Sequence, residues 1–171
     1  MESFLASVER RAFRMAEMGT GNSEEALDIV QDTLFAFVRK YSARPEEEWR
    51  PLFFRILQNK IRDWHRRSKV QKGLGLFWPF KGSGSDNPIQ ELEDTKQKNV
   101  SDAHEISDSV ESMHVAIRTL PFRQQQAFLL RAWEEFSVKE TAEAMGVSEG
   151  SVKTHFSRAV STLRERLKDY G

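Results

Sequence analysis

The chain has 171 residues with 26 basic and 26 acidic side chains, so its formal net charge at pH 7 is zero. It contains no cysteine, which excludes disulfides and thiolate metal sites, and its four histidines (65, 104, 114 and 155) lack ligand spacing, so we expect no metal or other cofactor. No apolar run approaches the roughly 20 residues that span a bilayer, and the N-terminus lacks a signal-peptide pattern, so we expect a soluble, cytoplasmic protein without membrane insertion.

Apolar residues recur with helical spacing along most of the chain, and no alternating strand pattern stands out. The predicted helices cover residues 2–18, 23–41, 48–69, 108–120, 122–134, 137–145 and 149–168. The fold class is therefore predicted to be all-α, with two small helical bundles joined by a flexible linker. We expect a first domain at 1–69, a Gly-, Ser- and Pro-rich linker at 70–107, and a second domain at 108–171.

The second predicted helix has a face that is apolar enough to be buried. That face carries Ala26, Leu27, Val30, Thr33, Leu34, Phe37, Val38 and Tyr41. The opposite face carries Asp28, Gln31 and Asp32 around an outward Phe35. An apolar anchor with a polar rim is typical of a protein docking surface. The alternative is that another helix of the same bundle covers Phe35.

The third predicted helix combines an aromatic core face with a basic stripe. Its core face carries Phe53, Phe54, Leu57, Ile61 and Trp64, and its opposite face carries Arg55, Asn59, Arg62 and Arg66, continued by Arg67. Arginines at these positions can neutralise phosphates, and an asparagine can pair with a base edge. The stripe predicts a nucleic-acid contact, although a solvated cationic face is the alternative.

The predicted linker contains an apolar cluster that is unusual for a solvated segment. The cluster is Leu76, Phe77, Trp78 and Phe80. Exposed aromatics gain nothing in water, so we expect the cluster to dock on the chain's own domains or on a partner, as a regulatory element. The linker region is also acidic: residues 70–111 carry a net charge of −4, whereas residues 1–69 and 112–171 carry +2 each.

The C-terminal segment has the pattern of a helix-turn-helix. Ala142 is small where two helices cross, Gly146 can take the positive φ that the turn requires, and Ser148 can cap the second helix. That helix has a slim polar face suited to the DNA major groove, and we place His155 at the edge of its core face. The residues expected at DNA are Ser148, Gly150, Ser151, Lys153, Thr154, Ser157 and Arg158.

Three runs of residues resemble bacterial RNA polymerase sigma factors of the extracytoplasmic-function group, in the order that the group shows. The first run is Ala26-x-Asp28-Ile29-Val30-Gln31-Asp32-Thr33, followed by Leu34-Phe35. The second is Arg55-Ile56-x-x-Asn59 with Asp63 and Arg66-Arg67, and the third is Leu120-Pro121-x-x-x-Gln125, Phe128-Leu129-Leu130 and the helix-turn-helix. Two positions and one segment depart from the group's pattern: Leu27, where an acid is frequent, Gln58, where an arginine is frequent, and the Gly-rich aromatic cluster of the linker.

The resemblance implies a transcription initiation subunit and not an enzyme. It implies that the face around Phe35 binds core RNA polymerase, that the Arg55–Arg66 stripe meets the minus-ten element of promoter DNA, and that the last helix reads the minus-thirty-five element. From the linker cluster, which is not a hallmark of the group, we expect control by an anti-sigma factor or by the linker itself. The rival interpretation is a stand-alone helix-turn-helix regulator of operator DNA. The small positive charge of both ends predicts weak non-specific DNA affinity, which favours a protein held on DNA by a partner.

Overall fold

The computed structural model describes residues 1–69 and 105–168, and within these ranges the chain is helical without strands. The predicted all-α class is confirmed. The linker cluster Leu76, Phe77, Trp78 and Phe80 lies outside the described residues. The helices are α1 (Glu2–Thr20), α2 (Ser23–Tyr41), α3 (Glu46–Lys69), α4 (Glu105–Arg118), α5 (Phe122–Phe128), a π-helical turn (Leu129–Trp133), α6 (Val138–Met145) and α7 (Glu149–Leu167).

The first three helices form the N-terminal bundle, and local signals fix their junctions. Gly21 ends α1 with a left-handed φ of 69°, and its N–H donates to the carbonyl of Glu17. Asn22 then caps α2, because its side chain accepts hydrogen bonds from the N–H groups of Glu24 and Glu25. The bundle's core is aromatic, with rings of α1, α2 and α3 meeting at centroid distances of 5.5–6.4 Å: Phe4, Phe37, Trp49 and Phe53.

Helix α3 begins two residues earlier than predicted, at Glu46. Its first turn carries three acids, Glu46, Glu47 and Glu48. Negative charge at the start of a helix interacts favourably with the helix dipole. Pro51 therefore lies in the second turn of α3, and its missing N–H removes one intrahelical hydrogen bond.

The predicted continuous helix at 122–134 is wrong beyond Phe128. The chain widens there into the π-helical turn, in which the N–H of Glu134 donates to the carbonyl of Leu129 over 3.0 Å. Glu135 follows with a φ of 55°, a left-handed conformation that few non-glycine residues adopt. This turn reverses the chain before α6 and draws the side chain of Glu134 into the protein interior.

The two bundles pack against each other along α3, which contacts α6, while α1 contacts α4. The rings of Phe54 and Phe136 meet across this junction edge to face, with centroids 5.5 Å apart. One continuous apolar core runs through both bundles in the described part of the chain. No helix in residues 1–69 or 105–168 is long and apolar enough to cross a membrane.

Candidate nucleic-acid and protein interfaces

The helix-turn-helix forms as the sequence predicts. Ser137 and Glu140 make a reciprocal capping box at the start of α6, and these hydrogen bonds lower the pKa of the Glu140 carboxyl. Gly146 ends α6 with a φ of 65°, and the Oγ of Ser148 accepts a hydrogen bond from the N–H of Ser151. Val152 is fully buried in the angle between the helices. These contacts fix the direction in which α7 leaves the turn.

The polar face of α7 lies open to solvent. Of the seven residues expected at DNA, Ser151 is half-buried, and the other six are exposed: Ser148, Gly150, Lys153, Thr154, Ser157 and Arg158. The hydroxyl of Thr154 donates to the carbonyl of Gly150 over 3.1 Å, so it lies flat along the helix. The only acid in the first turn is Glu149. A slim, exposed face of this kind can approach base edges and phosphates closely.

The apolar part of the α2 surface is larger than predicted. Phe35 is 76% exposed, so no other helix in the described residues covers it. Leu27 and Val38, predicted on the buried face, are 50% and 40% exposed. The prediction was wrong for these two because α1 and α3 cover a narrower arc of α2, which includes the fully buried Phe37. Leu27, Phe35 and Val38 therefore form one exposed apolar strip along the helix.

The polar residues expected around this strip are exposed too. Asp28, Gln31 and Asp32 all face solvent. The Oδ2 atom of Asp32 lies 3.0 Å from the Nζ of Lys60, which joins α2 to α3 at the surface. The structure thus brings together an apolar strip and an acidic rim on one helix face.

The arginine stripe of α3 lies beside the junction between the two bundles. Arg55, Arg66 and Arg67 are exposed, while Asn59 and Arg62 are half-buried. Three stripe members each follow directly after a residue that contacts the C-terminal bundle; these three pairs are Phe54 and Arg55, Gln58 and Asn59, and His65 and Arg66. One residue corresponds to about 100° of helix rotation, so the stripe is adjacent to the junction and not opposite to it.

Residues of the C-terminal bundle contact the face of α3 next to the stripe through specific pairs, which together we call the domain interface. The amide of Gln126 donates to the Oε1 of Gln58 over 2.7 Å, and the rings of His65 and Phe122 lie 4.6 Å apart. The amide of Gln125 donates to the carbonyl of Met18 in α1 over 3.2 Å. Gln58, which departs from the group's pattern, is thus a buried contact residue between the bundles.

Charged residues complete the domain interface, and sequence reasoning missed them. The carboxylate of Glu134 pairs with Arg11 of α1 at 3.4 Å and with Arg50 of α3 at 3.3 Å. Burial raises the pKa of Glu134, although both arginines favour its charged form. Burial, together with the nearby Arg62, lowers the pKa of Arg123. No motif marks these residues, because Arg50 and Glu134 are 84 positions apart in the chain.

A helix-turn-helix with an exposed polar face, joined to a bundle with an exposed apolar strip and an arginine stripe, is the arrangement expected of a DNA-binding transcription factor that works with a protein partner. The family described as Sigma-70 region 2 matches residues 1–70, and Sigma-70, region 4 matches residues 111–163. These two regions together cover most of the chain in the order of the family. The chain belongs to the sigma-70 family of RNA polymerase sigma factors, in its extracytoplasmic-function group.

Relatives of this group align along nearly the whole chain. The chain is 27% identical to the RNA polymerase sigma factor SigV of Bacillus subtilis, over 91% of this chain and 83% of that protein. It is 24% identical to the RNA polymerase sigma-E factor of Streptomyces coelicolor, over 97% and 85%. It is 27% identical to the ECF RNA polymerase sigma factor SigM of Mycobacterium tuberculosis, over 92% and 72%. A role as a sigma factor, and not as a stand-alone regulator, follows.

Two solved structures share the fold. The sigma factor RpoE from Bartonella quintana, in complex with the anti-sigma factor NepR, matches with a TM-score of 0.69 and 24% identity, over 98% of this chain and 96% of that chain. The PhyRSL–NepR complex from Sphingomonas sp. Fr1 matches with a TM-score of 0.56 and 22% identity, over 96% and 88%. Both likenesses extend over the two bundles.

Proposed function

We propose that this chain binds core RNA polymerase through the α2 face around Phe35 and directs initiation by presenting two DNA-reading helices. The observation that carries the proposal is that one chain exposes two surfaces of different kinds. The apolar strip Leu27, Phe35 and Val38 suits a protein partner, whereas the polar face of α7 suits DNA. A factor that acted without polymerase would have no use for the first surface.

The proposed division of labour follows the two bundles. Residues 1–69 would bind polymerase and engage the minus-ten element, and residues 108–171 would read the minus-thirty-five element, with 70–107 as the linker. Arg55, Arg62, Arg66 and Arg67 would neutralise phosphates, while Asn59 would contact a base edge. In this proposal the chain carries no catalytic residue, and it acts in the cytoplasm, where polymerase supplies the chemistry.

Promoter opening in this scheme depends on capture of the unpaired strand. Separating and unstacking a base costs a few kcal/mol. Contacts that only the open strand can make shift the equilibrium toward opening. The half-buried Asn59 and Arg62 lie next to the domain interface, so part of this surface becomes accessible only when the bundles separate.

The role in initiation can be tested by run-off transcription. Purified core polymerase is incubated with and without the chain on promoter-bearing genomic fragments. We expect defined transcripts only when both proteins are present. Specific, tight DNA binding by the chain alone, with no effect on transcription by polymerase, would favour the stand-alone regulator.

The docking face can be tested separately with a double variant. Asp32→Arg with Phe35→Ala is expected to abolish association with core polymerase and to leave the helical circular dichroism unchanged, because both side chains are exposed. The ion pair lost with Lys60 is a surface pair worth about 0–1 kcal/mol. A matched control is Glu47→Arg with Val115→Ala, which makes comparable changes at exposed positions on α3 and α4. Equal pull-down of polymerase by both variants would contradict the assignment.

We also propose control by an anti-sigma factor, because the similar sigma factor RpoE from Bartonella quintana is in complex with the anti-sigma factor NepR. The contact between the bundles supports this proposal, because a partner that bridges them could hold the chain in the arrangement described here. The linker cluster Leu76, Phe77, Trp78 and Phe80 remains a proposed regulatory element that rests on sequence alone. Replacing Phe77, Trp78 and Phe80 with serine is expected to raise basal transcription.

A further inference from the structure

The side chain of Glu134 is a carboxylate completely withdrawn from water at the junction of the two bundles. Its exposure is 0%, and the π-helical turn before it directs the side chain inward. Removing an ionised carboxylate from water costs several kcal/mol unless it is paired. A buried, ionised Glu134 therefore needs positively charged partners from the N-terminal bundle.

Two arginines of the N-terminal bundle supply the pairing, and they come from different helices. The Nη1 atom of Arg11 in α1 and the Nη2 atom of Arg50 in α3 approach the same oxygen, Oε2, at 3.4 Å and 3.3 Å. Arg50 also donates to the backbone carbonyl of Glu134 and lies over the ring of Phe136, 4.8 Å from its centroid. Every one of these contacts links the two bundles, so every one is lost when they separate.

The two ion pairs offset only part of the free-energy cost of burying the Glu134 carboxylate. Within the described residues, the second carboxylate oxygen, Oε1, has no hydrogen-bond donor, and the Nε of Arg50 has no acceptor. Both arginine side chains remain about 40% exposed and can be solvated when they are released. A buried ion pair of this kind adds little net stability, yet reversing one of its charges is strongly unfavourable. The ion pairs therefore favour this arrangement, in which the two bundles are in contact and which we call closed. They do not prevent the bundles from separating.

Closure is incompatible with simultaneous reading of both promoter elements. The names of the minus-ten and minus-thirty-five elements place them about 25 base pairs apart, which is about 85 Å at 3.4 Å per base pair. Helix α3, the longest in the described structure with 24 residues, extends only about 36 Å. Two bundles in direct contact along this helix cannot reach both elements at once.

We propose that Glu134, held by Arg11 and Arg50, is an electrostatic latch that sets how the two DNA-reading bundles fit together: the contact accepts the Glu134 carboxyl between the two arginines but not a like charge there, so reversing one of these charges opens the chain. The consequence for promoters rests on the proposed function, but the latch itself does not. It can be measured on the free chain, without polymerase or DNA.

The absence of cysteine allows a distance measurement at two chosen positions. Spin labels on Ser7→Cys in α1 and Ser161→Cys in α7, both exposed, report the separation of the bundles by double electron–electron resonance. The otherwise unaltered chain is expected to give one short, narrow distance distribution. Glu134→Arg, which places three guanidinium groups together, is expected to reduce the closed population at least about tenfold and to give longer, broader distances.

Three further variants separate the latch from a general effect on folding. Arg50→Glu alone is expected to open the chain, and Glu134→Arg combined with Arg50→Glu is expected to restore the short distance. The control Glu143→Arg makes the same charge change at an exposed position of α6 and should leave the distances unchanged. Unchanged distances in Glu134→Arg, or opening that Arg50→Glu fails to reverse, would overturn the proposal.

The consequence for transcription forms a separate arm of the test. If the latch is real and the proposed function is right, Glu134→Arg raises run-off transcription and the double charge swap returns it to the original level. If the distances change as expected but no variant supports transcription, the latch stands and the proposed function fails. If transcription is normal and the distances are insensitive to Glu134, the latch fails alone.

Discussion

The amide nitrogen of Gln126 lies 2.7 Å from the Oε1 atom of Gln58, and both side chains are buried. This hydrogen bond connects the helix before the helix-turn-helix to the helix that carries the arginine stripe. Gln58 also donates to the sulfur of Met15, and Gln126 accepts from Arg123 at 3.2 Å. The two amides are therefore part of a polar network in an otherwise apolar interface.

This network predicts that removing one amide is worse than removing both. Gln58→Ala leaves the amide of Gln126 buried without its acceptor and is expected to cost about 1–3 kcal/mol in the free energy of unfolding. Gln58→Leu with Gln126→Leu should recover most of that loss, because Arg123 keeps the carbonyl of Met145 as a second acceptor. Urea unfolding of the full chain provides the measurement. A double variant less stable than the single one would show that the hydrogen bond is not the source of the effect.

Gly146 provides a prediction about the turn of the helix-turn-helix. An added Cβ at this position would meet no atom within 4 Å, so Gly146→Ala is destabilising only through its φ of 65°. The expected cost is about 1–2 kcal/mol. Gly150→Ala is the matched control: its new methyl group would only reach ordinary contact with the Oγ of Ser148 at 3.9 Å, and alanine favours a helix. Thermal melting should therefore shift in opposite directions for the two variants.

Arg158 is expected to contact phosphate and not a base. Arg158→Ala should weaken promoter binding by the polymerase complex to a similar degree across promoter sequences and reduce the salt slope by about one. Arg164→Ala removes another exposed arginine of α7, outside the predicted DNA face, and should change neither quantity. Filter binding over a salt series distinguishes the two. An effect limited to one base position would give Arg158 a base-reading role instead.

The closed arrangement is predicted to depend on pH through Glu134. Burial raises the pKa of Glu134 in the closed form, nearby Glu135 raises it further, and Arg11 and Arg50 oppose this shift. In the open form the carboxyl would return to its ordinary value of about 4.3. An acid whose pKa is higher in the closed form takes up protons when the chain closes. The closed form is therefore stabilised as the pH falls through the raised pKa of the closed form. This stabilisation is complete below the ordinary pKa of the open form.

Spin-label distances recorded between neutral pH and about pH 5 test this dependence, since that interval lies above the ordinary carboxyl pKa. The closed fraction should rise as the pH falls, and Glu134→Gln should remain closed with a flatter profile. Glu140 of α6 is also charged and near Arg50, but its pKa is lowered, so it stays ionised over this interval. The difference between the chain and Glu134→Gln separates the effect of Glu134 from the effects of the other charged groups in the interface. A profile that rises with pH would contradict the sign.

The helices and the helix-turn-helix were predictable because their signals are local. Gly146 and Ser148 define a turn and a cap within a few residues, and the structure has both as expected. The exposure of Phe35 also follows from its position on the helical wheel. The exposure of Leu27 and Val38 did not follow from the sequence, because the width of the covered arc depends on how closely α1 and α3 approach α2.

The π-helical turn and the domain interface were beyond sequence reasoning for a different reason. Periodicity continues through residues 129–133, so the wider turn leaves no mark in the apolar pattern. Arg11, Arg50 and Glu134 are ordinary surface residue types whose pairing depends on the approach of distant segments. Gln58 was noticed as a departure from the family pattern, and its meaning emerged only from its contact with Gln126.

The apolar strip Leu27, Phe35 and Val38 is exposed to solvent while the two bundles are in contact. If that strip is the polymerase contact, recruitment does not have to wait for release of Glu134. The order of events on the pathway to initiation would then be fixed by geometry: the closed chain joins polymerase first, and separation of the bundles follows on the enzyme. Free chains would consequently pass over promoter sequences without occupying them, and the number of occupied promoters would follow the supply of core enzyme.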